Sequence, residues 1–430
     1  MKAGARLAAA VAVLTEIGVR HRPAALALAD WGKASRFAGS GDRAAVGNLV
    51  YDVLRRRGSI AARMGASTPR ALVLGAASHA LGLDADAIAA AADGSKHALT
   101  PLTEAERAAL ESPEPQAAKA LLADVPDWIV PLLRPVLGDR LPEEVAALSE
   151  RAPVDIRVNT LKATRKQVLA DLEKLGSVET RYSPLGIRFA APEGAGRTPN
   201  VEAEPAHGKG WFEVQDQGSQ IAALLVDARP GQDVLDLCAG AGGKTLALAA
   251  AMKGEGRIIA HDSDKTRLRP IFERLQRSGA KNVEVVAASD ADALAEMAGR
   301  FDRVVIDAPC TGSGTWRRRP DAKWRLKPRN LEQRQKEQRE VLAQAAPLVK
   351  PSGRLVYITC SLLPAENTEQ VTAFLAANPD FSLIPYAEVW RDVLPGTPPA
   401  SADNRADTLL LTPARHGTDG FFVAILAKNA

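Results

Sequence analysis

Five apolar runs in the second half of the chain do most to limit its fold: "QDVLDLCAG", "GRIIAHDSD", "NVEVVAASD", "DRVVIDAPC" and "GRLVYITCS". Each ends in polar or small residues, and helical patterns separate them. Strands that are apolar on both faces and alternate with helices form a parallel sheet covered on both sides. The expected architecture is α/β, a doubly wound, Rossmann-like sheet, and ligands of such sheets bind beyond the carboxyl ends of the strands. Every unusual cluster in this half of the chain lies at such an end.

"DLCAGAGGKT", Asp236 to Thr245, joins the first run to a helix. Its glycines let the backbone approach a ligand, and a helix N-terminus favours a negative group. The loop lacks the four-residue gap before Gly-Lys-Ser/Thr, so it is not a P-loop. Nicotinamide, flavin and methyl-donor folds all use such a turn. Asp262 ends the second run and Asp290 the third, where acids can accept ribose hydroxyls or face an adenine. Each acid alone is more often a cap or turn residue; in register they point to a nucleoside cofactor.

"DAPC" and "ITCS" end the fourth and fifth runs. Neighbouring strands lie about 4.8 Å apart, so Cys310 and Cys360 can face one pocket. A lone cysteine is more often a buried, hydrophobe-like thiol. Two of the chain's three cysteines at adjacent strand ends, one beside Asp307, weigh against that reading. No C-x-x-C pair occurs and no histidine stands at ligand spacing, so no metal site is expected. A reducing, cytoplasmic compartment is, which disfavours a disulfide. Two thiols and an acid suit methyl transfer to C5 of a pyrimidine. A thiolate adding at C6 makes C5 nucleophilic, an acid near N3 stabilises the adduct, and a second thiol can assist release.

Charge is concentrated rather than large. The chain's net charge is +4, yet ten Lys and Arg face only three acids between Trp316 and Arg339. "LEQRQKEQRE" reads as a solvated helix face. "TWRRRPDAKWRLKPR" has two tryptophans among cations and no helical stripe, which suits nucleic acid. Arg317, Arg318, Arg319, Lys323 and Arg325 are the candidate nucleic-acid contacts.

The chain's 430 residues exceed one core, so two or three domains are expected. Residues 1–140 are alanine- and leucine-rich with helical periodicity, broken at "RHRPA", "AGSGDR", "STPR" and "ESPEP". Within them Asp42 can cap an amphipathic helix ending in Arg55, Arg56 and Arg57, a triplet that alone reads as a solvated helix end. The start, "MKAGARLAAAVAVL", has a weak likeness to a secretion signal, but Glu16 and Arg20 follow at helical spacing and no small-x-small site appears. No run of 18 apolar residues predicts a membrane span. Residues 145–212 alternate strand and helix patterns, a small α+β module, and 213–430 form the Rossmann-like domain.

These motifs together resemble the Nop/Sun family of S-adenosylmethionine-dependent RNA cytosine-5 methyltransferases, most closely its bacterial 16S rRNA branch. "GDRAAVGNLVYDVLR" looks like that family's all-α NusB-like RNA-binding domain and "VDIRVNTLKATR" like its RRM-like module. "WFEVQDQGSQ", "DLCAGAGGKT", "DAPCTGSGTWRRRPDAKWR" and "YITCSLLPAENTEQV" follow in family order, ending at "TDGFFVAILAK". The resemblance implies that Cys238, Ala239, Gly240, Ala241, Gly242, Gly243 and Lys244 wrap the methyl donor. It puts Asp262 on the ribose, Asp290 near the adenine and Asp307 between donor and cytosine. Lys244 would also reach the base, Cys360 would be the nucleophile and Cys310 the release thiol. The family usually has proline where Ala241 stands; a glycine-bracketed alanine can make the same turn. The implied partner is RNA, 16S rRNA first, and the implied state a monomer. Other readings are a tRNA or other RNA cytosine-5 methyltransferase, a DNA cytosine-5 methyltransferase with Cys310 as nucleophile, and a non-catalytic ribosome-assembly factor.

Overall fold

A computed structural model describes the chain except residues 113–117, 193 and 195 and the side chains of residues 79, 291 and 292. The chain divides into two units. One comprises Met1–Arg151, Pro192–Thr198 and Trp316–Leu326, and the other Ala152–Ala191, Pro199–Thr315 and Lys327–Ala430.

The second unit holds two sheets. Strands β1 (Val154–Val158), β2 (Val178–Glu179), β3 (Gly186–Phe189) and β4 (Phe212–Val214) pair antiparallel in the order β2-β3-β1-β4. The helix Arg165–Asp171 starts at a capping box of Thr164 and Gln167. With Val168, the residues Ile156, Val158, Ile187 and Phe212 close a small core of their own.

The larger sheet contains β5 (Asp233–Asp236), β6 (Arg257–His261), β7 (Val283–Val286), β8 (Phe301–Asp307), β9 (Val349–Thr359), β10 (Phe381–Ile384), β11 (Leu409–Leu411) and β12 (Phe421–Lys428). Its order is β10-β12-β9-β8-β5-β6-β7, with β11 beside β12. The five expected runs are β5 to β9, all parallel. The chain steps from β5 to one side and returns to β8 on the other, so β5 and β8 flank the switch point where such sheets bind ligands. The expectation of a wholly parallel sheet is corrected at its other end, where β12 runs antiparallel to β9, β10 and β11. The connection from β11 to β12, 412–420, is shorter than the dozen or so residues a parallel crossover needs.

The loop after β8 is fixed by close backbone contact. The Gly314 N–H donates to the Cys360 carbonyl at 2.9 Å, and the Gly314 carbonyl accepts from the Gly420 N–H at 2.8 Å. A Cβ on Gly314 would stand 2.4 Å from the Gly420 oxygen.

The first unit is helical, as expected. The break at "RHRPA" falls between helices Ala3–Arg20 and Ala24–Ala34, and the one at "STPR" is a Thr68 cap with Pro69 in the first turn. Most of the "ESPEP" break lies outside the described residues. The Asp42 expectation is corrected. The helix Ser40–Arg55 begins at Gly39 without a side-chain cap, and Asp42 in its first turn binds the Met1 amine and Arg6.

The arginine triplet at the end of this helix is not a solvated end either. Arg55 pairs with Asp52 and donates to the Arg317 carbonyl, Arg56 pairs with Glu150, and Arg57 lies 5.2 Å over the Trp324 ring. The segment Trp316–Leu326 is thus part of the helical unit. The Lys323 ammonium donates to the Arg55 carbonyl at 2.6 Å, the Trp324 indole N–H to the Leu54 carbonyl at 2.6 Å, and the Ala24 N–H to Asp321 at 3.2 Å. These bonds use carbonyls that a helix C-terminus leaves open, where cations are favoured.

Two predictions follow from this packing. Gly314→Ala, which forces backbone apart, lowers stability by about 2–3 kcal/mol, read from the urea midpoint. Burial depresses the Lys323 ammonium to about 7. A depressed folded value means stability present above the unfolded value of about 10.4 and lost as pH falls towards 7. The unfolding free energy of the wild type therefore rises between pH 7 and 9.5 by on the order of 2–3 kcal/mol relative to Lys323→Met, in paired urea titrations.

Candidate active site

The loop Leu237–Gly242 leaves β5 and turns into the helix Gly243–Ala251. Gly240 and Gly242 have φ of 51° and 83°, the left-handed region that glycine adopts without strain. A Cβ on Gly242 would lie 2.5 Å from Ile271, so the turn and its packing both require glycine. Arg274 from the helix Ile271–Ser278 donates to the Ala241 carbonyl at 2.8 Å and holds the loop from outside. That bond fixes the turn at the position where alanine stands.

Asp262 follows β6 and is buried. Its Oδ2 accepts the Gly240 N–H and its Oδ1 the Asp264 N–H, both at 2.9 Å. Each carboxylate oxygen has two acceptor sites, so the group retains capacity for a diol. Arg267 reaches across, 3.7 Å from Asp262. The Gly240 backbone faces both side chains, a Cβ there standing 3.5 Å from Arg267 and 3.8 Å from Asp262, so these three residues form a cradle. Asp290 is exposed in the short turn Ala288–Asp290 after β7. Asp236 at the end of β5 is fully buried; burial raises its carboxyl to about 7, and Thr245 donates to it at 2.7 Å. Burial pushes the Cys238 thiol up as well, with Asp236 adding to the effect.

Across the switch point Lys244 donates to Asp307 at 2.7 Å and to Ser219 at 3.3 Å, and its ammonium lies 5.1 Å from the Phe421 ring. Lys244 is 5% exposed and Asp307 36%, so the carboxylate is the open end of the pair. Behind it runs a chain of side chains: Arg157 donates to the Gln215 carbonyl oxygen at 2.6 Å, and the Gln215 amide donates to Ser219 at 3.1 Å.

The register Asp307↔Ile358 aligns the ends of β8 and β9 and brings the Cys310 and Cys360 sulfurs to 3.3 Å. The hydrogen bond to Cys360 is the largest cause that raises the Cys310 thiol well above its ordinary range; burial, the Cys360 charge and Glu366 add to it. The Cys310 thiol therefore resists losing its proton. Glu366 accepts from the Thr311 N–H at 2.8 Å, the Ser361 hydroxyl at 2.5 Å and the Gln338 amide at 3.2 Å.

Cys238, Lys244, Asp262, Asp307, Cys310 and Cys360 thus gather at neighbouring strand ends of one sheet. The basic segment divides. Lys323 and Arg317 are buried, which corrects their reading as RNA contacts; Arg318 is half-buried, and Arg319 and Arg325 are exposed. Gln215, Ser219, Arg267, Glu366 and Phe421 were not among the residues singled out by sequence. "WFEVQDQGSQ" was the signal for the first two, "YITCSLLPAENTEQV" contains Glu366 and "TDGFFVAILAK" contains Phe421; Arg267 lies in none of these motifs.

The chain is 33% identical over 309 residues to the probable ribosomal RNA small subunit methyltransferase B of Synechocystis sp., a match spanning 70% of this chain and 66% of that protein. Against the ribosomal RNA small subunit methyltransferase B of Vibrio cholerae the identity is 33%, over 71% of this chain and 65% of the relative. The chain thus spans just under two thirds of these relatives. It superposes on the crystal structure of PH0851 with a TM-score of 0.73 at 27% identity over 100% of both chains. The mixed α/β methyltransferase fold is shared, and the small sheet falls partly in a ferredoxin-like domain matched over residues 125–194. With the model of the 16S rRNA methyltransferase RsmB/F matched over residues 223–427, the chain belongs to that family.

Proposed function

We propose that this protein transfers a methyl group from S-adenosylmethionine to C5 of a cytosine in RNA, with 16S rRNA as the target. The observation that carries the reading is the pair of sulfurs 3.3 Å apart beside the Lys244–Asp307 ion pair. The Gly240–Asp262–Arg267 cradle fits a nucleoside, with Cys238 to Lys244 along the donor and Asp290 towards the adenine. When bound, S-adenosylmethionine supplies the methyl group on a sulfonium.

The Cys360 thiolate adds to C6 of cytosine. The C5–C6 π electrons move towards C4, and N3 takes a proton from the Lys244–Asp307 pair, which leaves C5 nucleophilic. After C5 is methylated, water takes the C5 proton, the C5–C6 double bond re-forms, the C6–S bond breaks with its electrons on sulfur, and N3 returns its proton to the Lys244–Asp307 pair. The Cys310 S–H donates to the departing sulfur and stabilises it as it leaves. Arg319 and Arg325 hold phosphates of the strand. The helical unit is read as NusB-like and the four-stranded sheet as RRM-like, both serving the RNA. The thiols work reduced, as in the cytoplasm.

Cys360→Ala abolishes methylation and adduct, whereas Cys310→Ala accumulates a covalent protein–RNA adduct, seen as a shifted band on a denaturing gel. An adduct that needs Cys310 and forms without Cys360 reverses the two roles. Bisulfite sequencing of rRNA and tRNA with and without the gene identifies the target, and no lost site in any RNA sinks the enzymatic reading. Gly242→Ala, which drives a methyl group into Ile271 and strains φ, weakens S-adenosylhomocysteine binding about tenfold or more in calorimetry.

A further inference from the structure

The helical unit contains a groove that the transfer chemistry does not use. It lies between the helices Ala24–Ala34 and Ser40–Arg55 and encloses about 360 Å³. Small residues, Ala25, Gly32 and Gly47, open it, and Trp31, Tyr51 and Arg43 form its walls. The Arg43 guanidinium lies over Gly32, 3.5 Å from where a Cβ would stand. Its Nε donates to the Ala38 carbonyl at 3.0 Å, which fixes the plane of the guanidinium and ties the loop 35–39 to the groove. That loop displays Phe37, 77% exposed, beside the exposed cation Arg36. At the other end Ala25 follows Ala24, whose N–H donates to Asp321, and Arg325 donates to the same Asp321 oxygen at 3.0 Å.

The acids near the groove already have partners. Asp42 binds the Met1 amine and Arg6, Asp30 binds Arg22, and Asp321 binds Arg325. No ion pair joins Arg43 to a carboxylate among the described residues. An apolar peptide in the groove would bury that guanidinium without a counter-charge, at a net cost. A flat base suits it better. Unpaired bases stack on aromatic rings and on arginine planes, with the flanking phosphates on cations.

We propose that this groove binds an unpaired base of the RNA, between Trp31, Tyr51 and Arg43, with Phe37 stacking a neighbouring base and Arg36 and Arg325 on flanking phosphates. This rests on the reading of RNA as substrate and adds where the strand docks on the helical unit.

The test uses the full chain and a fluorescent single-stranded RNA. Arg36→Gln with Phe37→Ala changes only exposed side chains. It weakens binding about tenfold or more at 0.1 M salt and flattens the salt dependence by the release of about one counterion. Arg43→Gln gives a second, independent loss. Photocrosslinking of 4-thiouridine-substituted RNA labels the peptide 24–55 in the wild type and not in the double variant. Affinity within twofold of wild type together with no crosslink in 24–55 overturns the proposal. RNA affinity unchanged but binding to small-subunit particles lost would assign the groove to a protein, and also overturns it. Crosslinking through 24–55 in the wild type, together with no adduct in Cys310→Ala, refutes the catalytic reading and leaves the docking site standing.

Discussion

The buried carboxylate of Glu366 ties together the two cysteine-bearing loops, which the bond from the Gly314 N–H to the Cys360 carbonyl also joins. It takes the Thr311 N–H and hydroxyl from the loop after β8, the Ser361 hydroxyl from the loop after β9, and the Gln338 amide from the helix Pro328–Ala345. Parallel pairing alone brings two strand ends within reach; it does not fix the loops beyond them. Burial raises the Glu366 carboxyl, and the hydrogen bonds it accepts work against that rise. A buried acceptor satisfied from three elements is costly to release from any of them. Glu366 therefore helps hold Cys310 and Cys360 together through bonds to neighbouring residues of both loops.

That arrangement makes two chemically identical groups unequal. Cys310 hydrogen-bonds to Cys360, lies in a poorly solvated place and feels the Glu366 charge, and all three favour its protonated form. In a pair this close two adjacent negative charges repel, so the sulfurs are not both thiolates at once. A thiol held protonated in this way suits the part proposed for Cys310 in release. The same loop sits against β9 and β12 through Gly314 and Gly420, where backbone contact leaves no space for a side chain.

Much of this was legible in the sequence, for identifiable reasons. β5 to β9 are apolar on both faces, so their runs announced themselves, and strand-end logic brought Cys310, Cys360, Asp307 and Asp262 together before any coordinates. Direction was not legible in β12, because apolarity says nothing about which way a strand runs. Charge misled at Lys323 and Arg317. A cation's presence is visible in sequence, but the helix end that receives Lys323 is 268 residues away at Arg55. The role of Glu366 was not legible either, since its partners come from three separate elements. The Asp42 cap failed because the helix starts at Ser40 and the N-terminal amine competes for the carboxylate.

The chain of side chains behind Lys244 has a fixed polarity, set at its far end. Arginine can only donate, so the bond from Arg157 forces the Gln215 amide to present its oxygen to the guanidinium and its NH₂ to Ser219. Ser219 then accepts from both Gln215 and Lys244, which turns its lone pairs towards the ammonium. Burial lowers Arg157 only to about 10, so it stays charged at neutral pH and the polarity does not reverse. Lys244 is left with its remaining strong bond directed at Asp307. A strand of the small sheet, in the same compact unit, thereby orients the ion pair at the switch point of the large one.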